Sequence, residues 1–264
     1  MVGPRASLRP PVVTRMDRWE EVPESLGLPP GEVHVYRVGL EIDDSTLGRL
    51  ADSLSDDEHS RARRFALPRL RRHFVAGRGI LRALLGRYLE EVPSAVVLRY
   101  GPHGKPALAA NQVGVQLTFN LSHSAGLLLL AVARGGELGI DLERIRPQTR
   151  FLDIARRFFS PAETTALLAL SEGLQREGFF RCWTRKEAFL KAHGGGLRVP
   201  LDSFEVSVDP RAGARLLGAS WDPSAPLRWR LHDLEPGPGF VAALAVEQHQ
   251  ERLRCFTWDP RTVL

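Results

Sequence analysis

Lysine is nearly missing from this chain of 264 residues: of its 36 basic side chains only Lys105, Lys186 and Lys191 are lysines, the rest being arginines. An arginine presents a rigid planar fork and a lysine a compact, mobile ammonium, so each surviving lysine invites a chemical reason. Cysteine is scarce too. Cys182 and Cys255 stand far apart and outside any metal-ligand spacing, which argues against a thiolate metal site. The expectation is two reduced, buried thiols in a cytoplasmic protein. No apolar run approaches the roughly 20 residues that cross a bilayer, so no membrane partner is expected. Residues Met1 to Pro11 carry proline and arginine but no apolar stretch, and are not read as a signal peptide. The run Gly194 to Gly196 lacks the Lys and Ser/Thr that follow in a P-loop, which excludes that motif.

What is present allows a folded core: 43% of residues are hydrophobic and 25% charged. A net charge of +5 and a pI near 9.7 imply an anionic partner, whether nucleic acid, acidic protein or polyphosphate cofactor. Arg61, Arg63, Arg64, Arg69, Arg71 and Arg72 form a basic cluster that serves either as a solvated face or as an anion site. Only Phe65 and Phe74 lie near it and no nucleic-acid motif appears, which weighs against a nonenzymatic nucleic-acid-binding protein.

Residues 1–30 are proline-rich without a sustained period and are expected to form a loose leader. Residues 33–42 predict a strand, Ser55 and Glu58 a capping box, and Arg71 to Leu89 a helix with an apolar face. Strands at 96–100, 115–120 and 127–132 follow. The same order then recurs. A strand at 138–144 precedes a second capping box, Ser160 with Glu163, and a helix over 178–193 halted by glycine. Strands at 204–208 and 240–246 follow. A repeat at about 105 residues predicts an α+β pseudo-dimer. Its two similar halves would span 31–135 and 136–264, the second with a C-terminal extension, and a cleft between them would hold the active site.

Three segments carry candidate chemistry. In Gly139-Ile140-Asp141-Leu142-Glu143, strand alternation projects both carboxylates to one side while Ile140 and Leu142 face a core. Paired hard oxygen ligands suit Mg²⁺ together with substrate phosphate; a solvated strand face is the plain alternative. In the segment Trp183 to Lys191, Glu187 and Lys191 are four apart on one helical face that also holds Trp183, and Lys186 stands about 100° round. Were this face to meet the Asp141 strand, carboxylates and ammonium groups would converge as a diphosphate on Mg²⁺ requires. In Asn120-Leu121-Ser122-His123-Ser124, His123 is expected on a strand-connecting turn, either bonding phosphate or merely structural. The turn Gly101 to Pro106 presents Lys105 and is nonspecific by itself.

The motifs N-L-S-H-S, G-I-D-L-E and W-T-R-K-E-A-F-L-K-A-H-G-G-G-L, in that order and flanked by F-F-S-P-A-E and P-L-D-S-F, resemble the Sfp-type 4′-phosphopantetheinyl transferase family over residues 33–208. The resemblance implies a pseudo-dimer with coenzyme A (CoA) in the cleft and a carrier-protein serine as acceptor. By resemblance Asp141, Glu143 and Glu187 hold Mg²⁺, Glu187 doubles as catalytic base, and Lys191 meets the diphosphate and assists catalysis. Arg61, His103, Gly104, Lys105, Ser122, His123, Lys186 and Lys191 match CoA-holding positions. The implied partners are CoA and an acidic acyl- or peptidyl-carrier protein, with no nucleic acid or membrane, for a monomeric cytoplasmic enzyme. A degenerate protein that only binds CoA or carrier is disfavoured by the intact Asp141, Glu143, Glu187 and Lys191 set. One departure stands out: Glu58 occupies a position where some members carry a basic CoA contact, which leaves Arg61 with more of that task.

Overall fold

The computed structural model describes residues 15–16, 18–101, 104–109, 117–196, 199–247 and 252–261. In chain order the elements are β1 (Arg15–Met16), β2 (Glu20–Glu21), β3 (Glu32–Gly39), α1 (Asp44–Ala51), α2 (Asp56–Arg63), α3 (Pro68–Leu89), β4 (Leu98–Tyr100), β5 (Pro106–Leu108), β6 (Leu117–Ser124), β7 (Leu127–Arg134) and β8 (Leu138–Arg144). They continue as α4 (Phe151–Phe158), α5 (Pro161–Ala169), α6 (Glu172–His193), β9 (Phe204–Val206), β10 (Leu216–Ala219), α7 (Ala225–Arg228), β11 (Trp229–Leu234), β12 (Phe240–Glu247) and β13 (Arg252–Thr257).

Two sheets carry the architecture, ordered β2-β13-β3-β7-β6 and β1-β11-β12-β8. Alternation along β3 and β7 sends Tyr36, Val38, Leu128 and Leu130 toward Ile80, Leu81 and Leu84 of α3. The other residues, Val33, Val35, Leu129 and Ala131, pack with Ile140, Leu142, Ala242 and Leu244 of the second sheet. The outer face of that second sheet, with Ala243 and Ala245, meets Ala188 and Phe189 of α6. The result is helix, sheet, sheet, helix, and the α+β pseudo-dimer read from the sequence is the observed fold.

The repeat extends to buried charge. Both capping boxes form, and each contributes its glutamate to an ion pair with the following 22-residue helix. Glu58 accepts from Arg82 of α3 at 2.7 Å, and Glu163 accepts from Lys186 of α6 at 2.6 Å. Both pairs are almost wholly buried, which only a paired charge tolerates.

The chain termini cross between sheets. β1 joins β11 and β13 joins β3, both in parallel. Strands β1 and β2 thus lie inside the segment expected to be a loose leader, and β13, counted by sequence with the second half, hydrogen-bonds in the first sheet. Strand β6 runs on to Ser124, so His123 lies on the strand and not on a turn. The turn itself is Ala125-Gly126, both at positive φ, as a two-residue hairpin requires. Cys182 and Cys255 are buried and unbridged; burial raises both thiols, that of Cys255 to about 12. Among the described residues no helix is long and apolar enough to cross a membrane.

Candidate active site

The two sheets meet where β6 lies alongside β8, and side chains stitch the seam. Asn120, Ser122 and Ser124 recur at period two on β6. Their oxygens accept the backbone N–H groups of Ile140 (2.9 Å), Leu142 (3.3 Å) and Arg144 (3.2 Å). The serine hydroxyls then donate onward: Ser122 to Asp141 Oδ1 at 3.0 Å and Ser124 to Glu143 Oε2 at 3.1 Å. The seam that joins the halves therefore also orients both carboxylates.

Helix α6 closes on this strand because Gly139 lets it. A Cβ there would stand 2.2 Å from the Ala188 carbonyl oxygen and 2.3 Å from the Ala192 nitrogen. The approach brings Lys191 Nζ to 2.8 Å from Asp141 Oδ1 and 3.0 Å from the Ile140 carbonyl, leaving one of its three donors unused. Gly194, at φ 77°, ends the helix one turn beyond Leu190. Glu187 lies one turn before Lys191. Burial, then the charge of Asp141, raises the Glu187 carboxyl above its ordinary range, while Lys191 opposes the shift. Glu143 is raised likewise, by burial first and Asp141 second. Asp141 Oδ2 is buried without a hydrogen-bond partner. Repelling carboxylates with an orphaned oxygen form a donor set that fits a hard cation. Among the described residues no three such side chains already stand in a metal-holding arrangement, and the Lys191 ammonium sits against Asp141 instead.

The expected CoA contacts divide. Lys191 sits against Asp141, whereas His123 is exposed on β6 between the two serines that bond the carboxylates; desolvation lowers its imidazole, helped by the charges of His73, Lys191 and Arg78. Lys105 bridges the halves: its ammonium donates to the Lys191 carbonyl at 2.8 Å, and burial lowers its pKa. It stands on the wall of an inter-half cleft of about 710 Å³ with Arg99, Phe119, Glu137, Gly194 and Glu247. Gly104 forms the exposed turn before it, and His103 lies outside the described residues. Arg61 is exposed on α2, over the Phe74 ring at 5.4 Å. Two of these residues are placed in the interior. Lys186 is 0% exposed and donates to Glu163 and to the Phe204 carbonyl, each at 2.6 Å. Ser122 is nearly buried and its one donor goes to Asp141, so it orients a carboxylate. The neighbouring Arg185 is also interior, forked onto Asp233 at 3.0 and 2.7 Å.

Part of the basic cluster is neutralised at the surface. Arg69 pairs with Glu41 at 2.7 Å and Arg72 with Asp44 at 2.5 Å. Sequence reasoning left out Ser124 as a carboxylate partner and did not consider Arg78. The period-two polar run N-x-S-x-S was a usable signal for the first, whereas nothing local distinguished Arg78.

A family model described as "4'-phosphopantetheinyl transferase superfamily" matches residues 137–245, and one described as "4'-phosphopantetheinyl transferase, N-terminal" matches residues 43–134. The 4'-phosphopantetheinyl transferase HetI of Nostoc sp. is 42% identical over 243 residues, spanning 92% of this chain and 96% of that protein. The chain belongs to the 4′-phosphopantetheinyl transferase superfamily. Sfp of Bacillus subtilis, also a 4'-phosphopantetheinyl transferase, is 29% identical over 213 residues, 80% of this chain and 91% of that protein. AcpT of Salmonella typhimurium, of the same named activity, is 36% identical over 162 residues, 61% of this transferase and 76% of that protein. The two family matches abut within three residues of Arg134, the last residue of β7, where the second sheet begins.

Proposed function

We propose that this transferase moves the 4′-phosphopantetheine arm of CoA onto a serine hydroxyl of an acidic acyl- or peptidyl-carrier protein, releasing adenosine 3′,5′-bisphosphate. The observation that carries the reading is the buried, unpartnered Oδ2 of Asp141, flanked by Glu143, Glu187 and the Lys191 ammonium. Asp141, Glu143 and Glu187 are the residues that would hold Mg²⁺. When bound, the ion would neutralise diphosphate oxygens and make the phosphorus more electrophilic.

The chain's own groups supply the rest. Glu187, one turn before Lys191 and beside the other carboxylates, takes the serine proton. The serine oxygen bonds to the β-phosphorus as the bond to the bisphosphate oxygen breaks. Lys191 meets the charge that develops on that departing oxygen with its unused donor. Little covalent chemistry falls to the protein, so positioning and charge complementarity supply most of the acceleration. The net charge of +5 favours an acidic carrier, and buried free thiols suit a reducing cytoplasm.

The test is intact-mass analysis of apo-carriers from fatty-acid, polyketide and peptide assembly systems after incubation with enzyme, CoA and Mg²⁺. The expected result is the added mass of phosphopantetheine on at least one carrier, nearly abolished by Asp141→Asn and by a chelator. Undiminished transfer by a folded Asp141→Asn enzyme would refute the carboxylate assignment.

A further inference from the structure

Arg78 lies on α3 between Gly77 and Gly79, only 9% exposed. Its guanidinium sits between two aromatic rings, Phe74 at 5.5 Å and Tyr100 at 5.4 Å. Nη1 is buried and has no hydrogen-bond partner, and among the described residues no carboxylate lies within ion-pair distance of it. Glu58, the acid whose charge reaches it, is engaged elsewhere: it accepts from Arg82 Nε at 2.7 Å, the Ser55 backbone at 3.2 Å and the Tyr100 hydroxyl at 3.2 Å. A guanidinium cannot lower the cost of burial by releasing its proton.

Arg61 stacks on the same Phe74 ring at 5.4 Å. The guanidinium groups of Arg61 and Arg82 and the Glu58 carboxylate all act on Arg78, and a second carboxylate, Asp57, lines the hollow beside Arg61. The excess of positive charge lies under two surface groups, the exposed Arg61 and Tyr100, which is 36% exposed.

On the reading of the protein as a CoA-dependent transferase, we propose that Arg78 is the residue that recognises the 3′-phosphate of the CoA ribose, with Arg61 as its surface partner. The diphosphate falls to Lys191 and the carboxylates, so the 3′-phosphate is the remaining anion of the ligand. Glu58 offers it no positive charge, and Arg78 supplies that charge from one helix further in. Entry of the phosphate turns Tyr100 and Arg61 outward and gives Nη1 the acceptor it lacks.

Calorimetric titration of CoA and dephospho-CoA into wild-type enzyme, Arg78→Met and Arg78→Gln tests this, with thermal melts to establish folding. Wild type should prefer CoA by at least ~10-fold, the scale of one charge-assisted hydrogen bond. Arg78→Met should lose most of that preference through weaker CoA binding, with dephospho-CoA changed by less than about 3-fold. Should the methionine variant not fold, Arg78→Gln, which keeps a polar head without charge, is read by the same ratio. Equal weakening of both ligands, or an unchanged ratio, overturns the inference. A wild type that modifies a carrier yet binds both ligands equally would overturn it while leaving the proposed transferase reaction standing.

Discussion

Lys186 offers a sharp separation between a ligand-binding lysine and a structural one. By family position it would hold CoA; by its surroundings it holds the second half together. Its ammonium is fully buried, 2.6 Å from Glu163 Oε1 and 2.6 Å from the Phe204 carbonyl, and 4.2 Å from the centre of the Phe204 ring. Replacement by methionine keeps much of the stem and removes the charge. Glu163 would retain the Ser160 and Val206 backbone N–H groups, at 2.9 and 2.8 Å, but lose its counter-charge. Breaking a buried pair on one side costs about 3–5 kcal/mol, and the abandoned Phe204 carbonyl places this case toward the upper end. For a chain of this size that corresponds to a fall in Tm of roughly 6–20 °C. The assay is thermal melting of Lys186→Met beside CoA titration below the melting range. CoA affinity should stay within about 3-fold of wild type. Adding Glu163→Gln should recover part of the lost stability, since no uncompensated charge then remains inside. A Lys186→Met protein with unchanged Tm and much weaker CoA binding would refute the structural assignment.

Two other perturbations follow from the site. Glu187 and Glu143 carry raised carboxyl pKa values, so their contribution to stability is present below the ordinary carboxylate range and is lost as pH rises through the raised values. Melting between pH 4 and 7 should therefore show Glu187→Gln gaining on wild type as pH rises, while transfer collapses. A gain that is flat across that window would show the carboxylate is not strained by its neighbours. Gly139→Ala should force α6 off β8, costing about 1–3 kcal/mol or more. Because Glu187 and Lys191 ride on that helix, transfer should fall by on the order of 10²-fold, as for a displacement near 1 Å. Wild-type turnover in that variant would show that the close approach does not set the site.

Much of the fold was legible in the sequence, because it rests on local rules. Both capping boxes need only a serine and a glutamate three residues on, and both form where that spacing occurs. The alternation through Gly139 to Glu143 depends only on strand period, and it does put Asp141 and Glu143 on one face with Ile140 and Leu142 on the other. The helix stop at Gly194 follows from a left-handed conformation that glycine adopts readily. Spacing along the helix likewise places Glu187 and Lys191 one turn apart.

Tertiary structure decided what each charge does. Lys186 and Lys191 are five apart on one helix, yet one lies in a dry core against Glu163 and the other at the seam against Asp141. Periodicity puts them on different faces of the helix but does not say which acid each meets, since both acids are distant in sequence and reach the helix only after the sheets have packed. The same holds for His123, carried past the expected turn onto the strand by ladder pairing of β6 with β7. It holds too for the exchange of terminal strands between sheets, which places β13 beside β3. Arg78 is the furthest case. As a letter it is one arginine among 33. It becomes a buried, unmatched cation because Glu58, the acid whose charge reaches it, is already held by Arg82 in the folded protein.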